Sequence, residues 1–195
     1  MFEPDPNARA VLAAGTLYAV VGTDGWIYFG QVTPLRRIGF LRYRSREIES
    51  PRRILSMPIM SEVTVSYPSI GNALRNGVWK RIGKAEMHPD LAVPRDQVQW
   101  PVGNSTLTVW PGDGGAPYDA RPDDPAIQSL EIVAAWDADC HIPDRLPADF
   151  DPAREEPLLG PILRVRRGKE RLAQQFPDVP WHALPADWVS TGKAG

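Results

Sequence analysis

Proline sets the first limit on this chain. It occurs 21 times in 195 residues, roughly twice the average share of about 5%. Pro fixes φ and carries no N–H, so it breaks helices beyond their first turn and is kept out of sheet interiors. Short elements joined by fixed turns are therefore expected, and long helices are not. Tryptophan is the second outlier, with 7 residues. Such large, rigid side chains serve as anchors in a core or an interface.

Between the prolines the pattern is that of strands. Thr16 to Val21 is β-branched and aromatic, Gly22-Thr23-Asp24-Gly25 has the chemistry of a tight turn, and Trp26 to Val32 reads as the returning strand. Arg37 to Arg44 alternates apolar residues with arginine, as a half-buried strand does. Further strands are expected over Ile59–Tyr67, Val78–Gly83, Val98–Trp100 and Thr106–Trp110, the last two joined by a turn at Gly103-Asn104. Ser69 to Asn76 reads as a short helical turn broken by Gly77. Pro111 to Asp124 reads as a loop, rich in Gly, Pro and Asp. Apolar residues at three- or four-residue steps predict a helix from Asp124 to Asp137, with Asp124 as N-cap and Pro125 at N1. Asp139 to Pro161 is expected to be irregular, Ile162 to Phe176 a basic helix, and the last twenty residues, with Trp181 and Trp188, a packed but irregular tail.

The fold class that follows is α+β, mainly β. It is expected as a twisted antiparallel sheet or small partly open barrel with one or two helices and a Pro-rich C-terminal extension. The expected organisation is a flexible tail over residues 1–14, a β-rich domain over 15–158, and a basic helix with an irregular tail over 159–195. The tryptophans in patterned elements, Trp26, Trp79 and Trp136, are candidates for the core.

Composition narrows the function classes. Cys140 is the only cysteine, which excludes an intramolecular disulfide and a zinc site built on several thiolates. The first residues lack a basic, then apolar, leader pattern, and no apolar run approaches the ~18–20 residues that span a bilayer. A soluble cytoplasmic protein with no membrane partner is expected. Charge is unevenly spread. Seven arginines lie between Arg36 and Arg53 against Glu47 and Glu49, and eleven Asp or Glu lie between Asp119 and Glu156. Such segments either neutralise one another in the fold or present faces of opposite potential.

No catalytic constellation can be assembled from the motifs. His88, His141 and His182 are far apart, and neither HExxH nor CxxC occurs. Cys140 and His141 are adjacent, but neighbours in sequence diverge in direction on either a strand or a helix. Asp137, Asp139, Asp144, Asp149 and Asp151 lack the spacing of a calcium loop. Gly112-Asp113-Gly114-Gly115 lacks the Lys-Ser/Thr that completes a phosphate loop. The expectation is a protein that is not an enzyme, with no cofactor, no metal and no small-molecule substrate. The arginine-rich strand, with Phe40 and Tyr43 interleaved, keeps nucleic acid as a second, disfavoured partner, because the overall pI is near 5.9.

Three stretches carry a resemblance. The first is Gly15 to Val21 followed by Gly25-Trp26-Ile27-Tyr28-Phe29-Gly30-Gln31-Val32. The second is Met57-Pro58-Ile59-Met60 running into Val63-Thr64-Val65 and then Gly77-Val78-Trp79-Lys80-Arg81-Ile82-Gly83. The third, weaker, is Leu130-Glu131 with Trp136 and Asp144-Arg145-Leu146. In these the chain resembles the immunity protein 26 family of bacterial polymorphic toxin systems. The likeness covers roughly residues 15–146 with long gaps, and departs from the family in the Pro-rich interior from Val102 to Pro122 and in the extension after Leu159. It implies a cytoplasmic immunity protein that binds a cognate protein toxin and blocks it by occlusion. The residues expected to meet the toxin are the acidic Asp137, Asp139 and Asp144, suited to a basic active site, with Trp110 and Tyr118 as aromatic anchors. The alternative is a nucleic-acid-binding regulator using the Arg36–Arg53 strand.

Overall fold

The computed structural model describes residues 1–101, 106–151 and 160–192. In chain order the elements are β1 (Thr16–Val21), β2 (Ile27–Val32), β3 (Ile38–Ser45), α1 (Pro51–Ile54), β4 (Ile59–Val65), α2 (Tyr67–Arg75), β5 (Trp79–Lys84) and α3 (Pro89–Ala92). Then come β6 (Gln97–Gln99), β7 (Leu107–Trp110), β8 (Tyr118–Ala120), β9 (Glu131–Ile132), β10 (Ala135–Trp136), α4 (His141–Phe150) and α5 (Ile162–Gln175). The chain divides into two compact units. One comprises Met1–Arg95 and Ala134–Arg154, the other Asp96–Val133 and Glu155–Gly195. The boundary expected at 158–159 and the turn expected at Gly103-Asn104 lie outside the described residues.

The first unit is a six-stranded sheet in the order β10-β4-β3-β2-β1-β5, curled into a half-barrel. Every neighbouring pair is antiparallel except β10 with β4. This agrees with the α+β, strand-rich fold read from the sequence. The β1–β2 hairpin forms where expected, but only Gly25 takes a positive φ, of 76°. Gly22 donates to Trp26 O and Gly25 donates to Gly22 O, the pattern of a three-residue loop closed by a glycine bulge. Alternation then assigns the faces. Ala19, Phe29 and Leu41 pack with Ile54 on one side. On the other, Trp79 meets Tyr18 at 5.5 Å and Phe40 at 6.2 Å between ring centroids. The Trp79 indole N–H donates to Ala138 O at 2.8 Å, tying β5 to the chain entering α4. Residues 1–14 contain no regular element; Phe2 N donates to Gly77 O, and Tyr18 Oη donates to Val11 O.

Three expectations are corrected here. The helix expected over Asp124–Asp137 is a single 3-10 turn, Pro125–Ile127, followed by β9 and β10. Asp124 does cap that turn, accepting from Ala126 N at 2.9 Å. Beyond it, however, each short apolar pair adds in parallel to the edge of a sheet: Glu131-Ile132 to β6, and Ala135-Trp136 to β4. Second, the segment expected to be irregular contains α4, despite two prolines. Pro143 lies in the first turn, where no intrahelical N–H is needed. Pro147 removes the bond that Pro143 O would otherwise accept. Thr23 N supplies it instead, at 3.1 Å. Third, the loop expected over Pro111–Asp124 contains β8, which pairs with β7.

The second unit is built on a four-stranded sheet, β8-β7-β6-β9. Val98, Leu107, Val109, Ala120, Ile127 and Ile162 form its core. Helix α5 forms where the basic helix was expected. Among the described residues no helix is long and apolar enough to cross a membrane.

Candidate functional site

The five residues singled out by sequence fall in different units. Asp137, Asp139 and Asp144 surround the start of α4 in the first unit. Two of the three carboxylates have internal tasks. Asp137 Oδ1 accepts from Asp139 N at 2.8 Å, from Cys140 N at 3.0 Å and from Cys140 Sγ at 3.2 Å. Partial burial works against its ionisation. The bonds from Cys140 and Asp139 and the nearby His141 outweigh that, and hold its carboxyl below the usual range. Asp139 Oδ2 accepts from Asn76 Nδ2 at 2.9 Å. Asp144 is exposed in the first turn of α4, where a negative charge favours the helix.

Trp110 and Tyr118 lie in the second unit, 46% and 49% exposed. Tyr118 stands opposite Val109 across the β7–β8 pair, so Trp110, the next residue along, projects from the opposite face. The two do not form one patch.

Cys140 and His141 do not activate each other. The thiol donates to Asp137 Oδ1, and that bond together with burial and the Asp137 charge raises its pKa. His141 Nδ1 accepts from Asp137 N at 3.4 Å. A thiol held in its neutral form is a poor nucleophile. Among the described residues no group of three or more His, Cys, Asp or Glu is placed to hold a metal ion.

Four arginines of β3 and its flanks, Arg37, Arg42, Arg44 and Arg46, are engaged within the first unit. Arg37 pairs with Glu62 at 3.6 Å, and Arg42 donates to Phe150 O at 2.9 Å. Arg44 pairs with Asp24 at 3.1 Å while its guanidinium lies over both Trp26 and Phe150. Arg46 covers the same indole at 3.9 Å. Trp26 is thus only half-buried, under two guanidinium groups, whereas Trp79 and Trp136 are core residues as expected. Among the described residues, the ion pairs of this arginine-rich segment, Arg37–Glu62, Arg44–Asp24 and Arg53–Glu49, are made with acids near it in sequence or across the sheet.

Sequence reading missed a concave site, a cleft of about 400 Å³ in the second unit. Helix α5 provides one wall through Arg166, Lys169 and Leu172, which share a face because they are three residues apart. The segment after Pro180 provides the other, through Trp181, His182, Leu184 and Trp188, with Trp100 and Arg121 completing the rim. Glu170 on α5 fixes that segment: it accepts from Trp188 Nε1 at 2.9 Å, from Thr191 N at 2.7 Å and from Thr191 Oγ1. Partial burial opposes ionisation of Glu170. These donors and the charge of Arg166 reverse the balance and lower its pKa. Arg166 adds a second clamp, donating to Val189 O and, at 2.8 Å, to Gln128 Oε1.

The cleft combines aromatic faces with cations. Trp100 and Trp188 stack at 6.3 Å with an interplanar angle of 12°. Lys169 Nζ lies 4.8 Å from the Trp100 ring centre and the Arg166 guanidinium 5.6 Å from that of Trp188. Trp181 is 80% exposed. The two lining acids, Asp123 and Asp187, both pair with Arg121, at 3.0 and 3.8 Å. That leaves Arg166 and Lys169 with no ion-pair partner among the described residues. The cleft's size and its aromatic lining with a few convergent polar groups are those common among ligand-binding clefts. Its early signs were the count of tryptophans, the basic helix expected over Ile162–Phe176 and the packed tail with Trp181 and Trp188. Nothing in the sequence spacing brings Trp100 to Trp188.

The fold and this cleft define the chain as a two-unit, strand-rich α+β protein with an aromatic and cationic cleft. Compared with family models, curated proteins and solved structures, the chain finds no match.

Proposed function

We propose that this chain acts by binding, as a cytoplasmic immunity protein that recognises a cognate toxin and blocks it by covering it. The observation that carries the reading is the tryptophan–arginine cleft of the second unit. Trp and Arg dominate the residues that hold protein complexes together, and here both types converge on one preformed surface with Trp181 open to solvent. Positions held before binding limit the entropy lost on association. The likeness of residues 15–146 to the immunity protein 26 family supplies the partner class, a toxin encoded beside its inhibitor. Of the arginines in the alternative, nucleic-acid reading, Arg37, Arg42, Arg44 and Arg46 are engaged with Glu62, Asp24, Trp26 and Phe150, which favours the protein partner.

Co-expression with the product of the adjacent upstream reading frame tests the role. A stoichiometric complex, together with restored growth of cells expressing that product, is the expected result. Failure of this chain to bind or protect, or recovery of RNA or DNA in place of protein, would overturn it.

A further inference from the structure

We propose that the cleft of the second unit recognises an extended, acidic and apolar segment of a partner protein, seating one carboxylate against Arg166 and Lys169 and an apolar side chain against Trp181. The inference deepens the partner-binding reading above and rests on it.

Charge complementarity is the first argument. The cleft carries Arg121, Arg166 and Lys169 against Asp123 and Asp187. Both acids pair with Arg121, so among the described residues the cations of the α5 wall, Lys169 above all, are without a close ion pair. Arg166 gives the second argument. It is only 5% exposed, and among the described residues its buried Nε–H has no hydrogen-bond partner, although its two terminal nitrogens donate to Gln128 and Val189. Buried donors are almost always satisfied, so this wall holds a donor whose need is unmet among the described residues. A carboxylate meets that need with a charge-assisted bond.

The aromatic groups decide the class of partner. The Trp100 and Trp188 rings stack on one another, and cations lie over both. They are structural walls, not open platforms. Trp181 alone is nearly free. Single-stranded nucleic acid needs a series of open rings for successive bases, whereas one open indole beside Leu172, Leu184 and Pro185 suits one apolar side chain next to an acidic one. The polarity is opposite to that expected at Asp137 and Asp139, whose carboxylates serve their own backbone and Asn76.

The test uses the full chain and a fluorescein-labelled twelve-residue peptide alternating Glu with Leu and Phe. Its counterpart carries Lys in place of Glu, and a single-stranded oligonucleotide of similar length is the third probe. Anisotropy should show saturable binding of the acidic peptide alone, weakening with salt. Trp181→Ala should weaken it about 10- to 30-fold, and Lys169→Glu about tenfold with a reduced salt dependence. Both residues are exposed, so the variants are expected to fold. Equal binding of the basic peptide, preference for the oligonucleotide, no binding at all, or variants that bind like wild type would overturn the proposal. The same variants separate the two claims. A toxin complex that survives both substitutions refutes the cleft and leaves the immunity role standing. Peptide binding without any complex from the adjacent reading frame refutes the role and leaves the cleft.

Discussion

Replacing Asp137 asks whether a residue marked by sequence for partner contact is instead a turn-maker. Its Oδ1 accepts two backbone N–H groups, those of Asp139 and Cys140, at the entrance to α4. Losing such a cap costs about 0.5–2 kcal/mol, and the lower half applies where water reaches the freed donors. Asp137 is half-buried, so Asp137→Ala should cost about 1 kcal/mol. With a urea slope of about 1–3 kcal/mol/M, the unfolding midpoint should fall by roughly 0.3–1 M. Asp137→Asn keeps a carbonyl acceptor and should lose less than half as much. The folded pKa is lowered, so the contribution is complete above the unfolded value near ~3.9 and fades as pH falls through the depressed folded value. The gap between wild type and the Ala variant should therefore narrow in acid. Amide exchange at Asp139 and Cys140 should quicken in Asp137→Ala. An unchanged midpoint with unchanged exchange would refute the turn-making account, and slower toxin association in that same background would return Asp137 to the interface.

Other substitutions probe the first unit. Trp79→Phe removes the N–H that satisfies Ala138 O in a fully buried site and leaves a gap beside Tyr18 and Phe40; a loss of about 2–4 kcal/mol is expected in urea unfolding, against almost none for Trp181→Phe. Glu62 is buried against Arg37, and burial raises its pKa despite that neighbour. The folded state thus holds the proton more tightly, so wild type should lose stability relative to Glu62→Gln as pH rises from ~4.3 towards the raised folded value; parallel stability curves would contradict this. Gly77 has φ 73°, and a Cβ there would collide with the Phe2 carbonyl. Gly77→Ala should cost about 1–3 kcal/mol and release the N-terminal segment to limited proteolysis.

Much of the first unit was legible because its signals are local. β-branched runs, an Asp-Gly turn and Gly77 mark β1, β2, β5 and the end of α2 without reference to the rest of the chain. Asp124 shows the limit of such signals. It caps as its type dictates, yet the apolar steps after it do not continue a helix, because β4 and β6 offer unpaired edges to Ala135-Trp136 and Glu131-Ile132. Helix α4 was hidden for the converse reason. Pro143 and Pro147 argue against a helix, and only Thr23, more than a hundred residues earlier, takes up the carbonyl that Pro147 leaves unpaired.

The candidate site divides in the same way. Local sequence determined the strand-rich character, the basic helix at Ile162–Gln175, the burial of Trp79 and Trp136, and the lack of a recognisable catalytic motif. Tertiary structure decided which charges remain available. It set Arg37 against Glu62 and Arg44 between Trp26 and Phe150, and turned Asp137 towards its own backbone. It also brought Trp100, Arg166 and Trp188 into one cleft. Hydrophobic pattern and turn chemistry act over a few residues, so they can be read along the chain. Whether a charge is neutralised or open to a partner depends on what lies across a sheet or beside a helix, and those neighbours are distant in sequence.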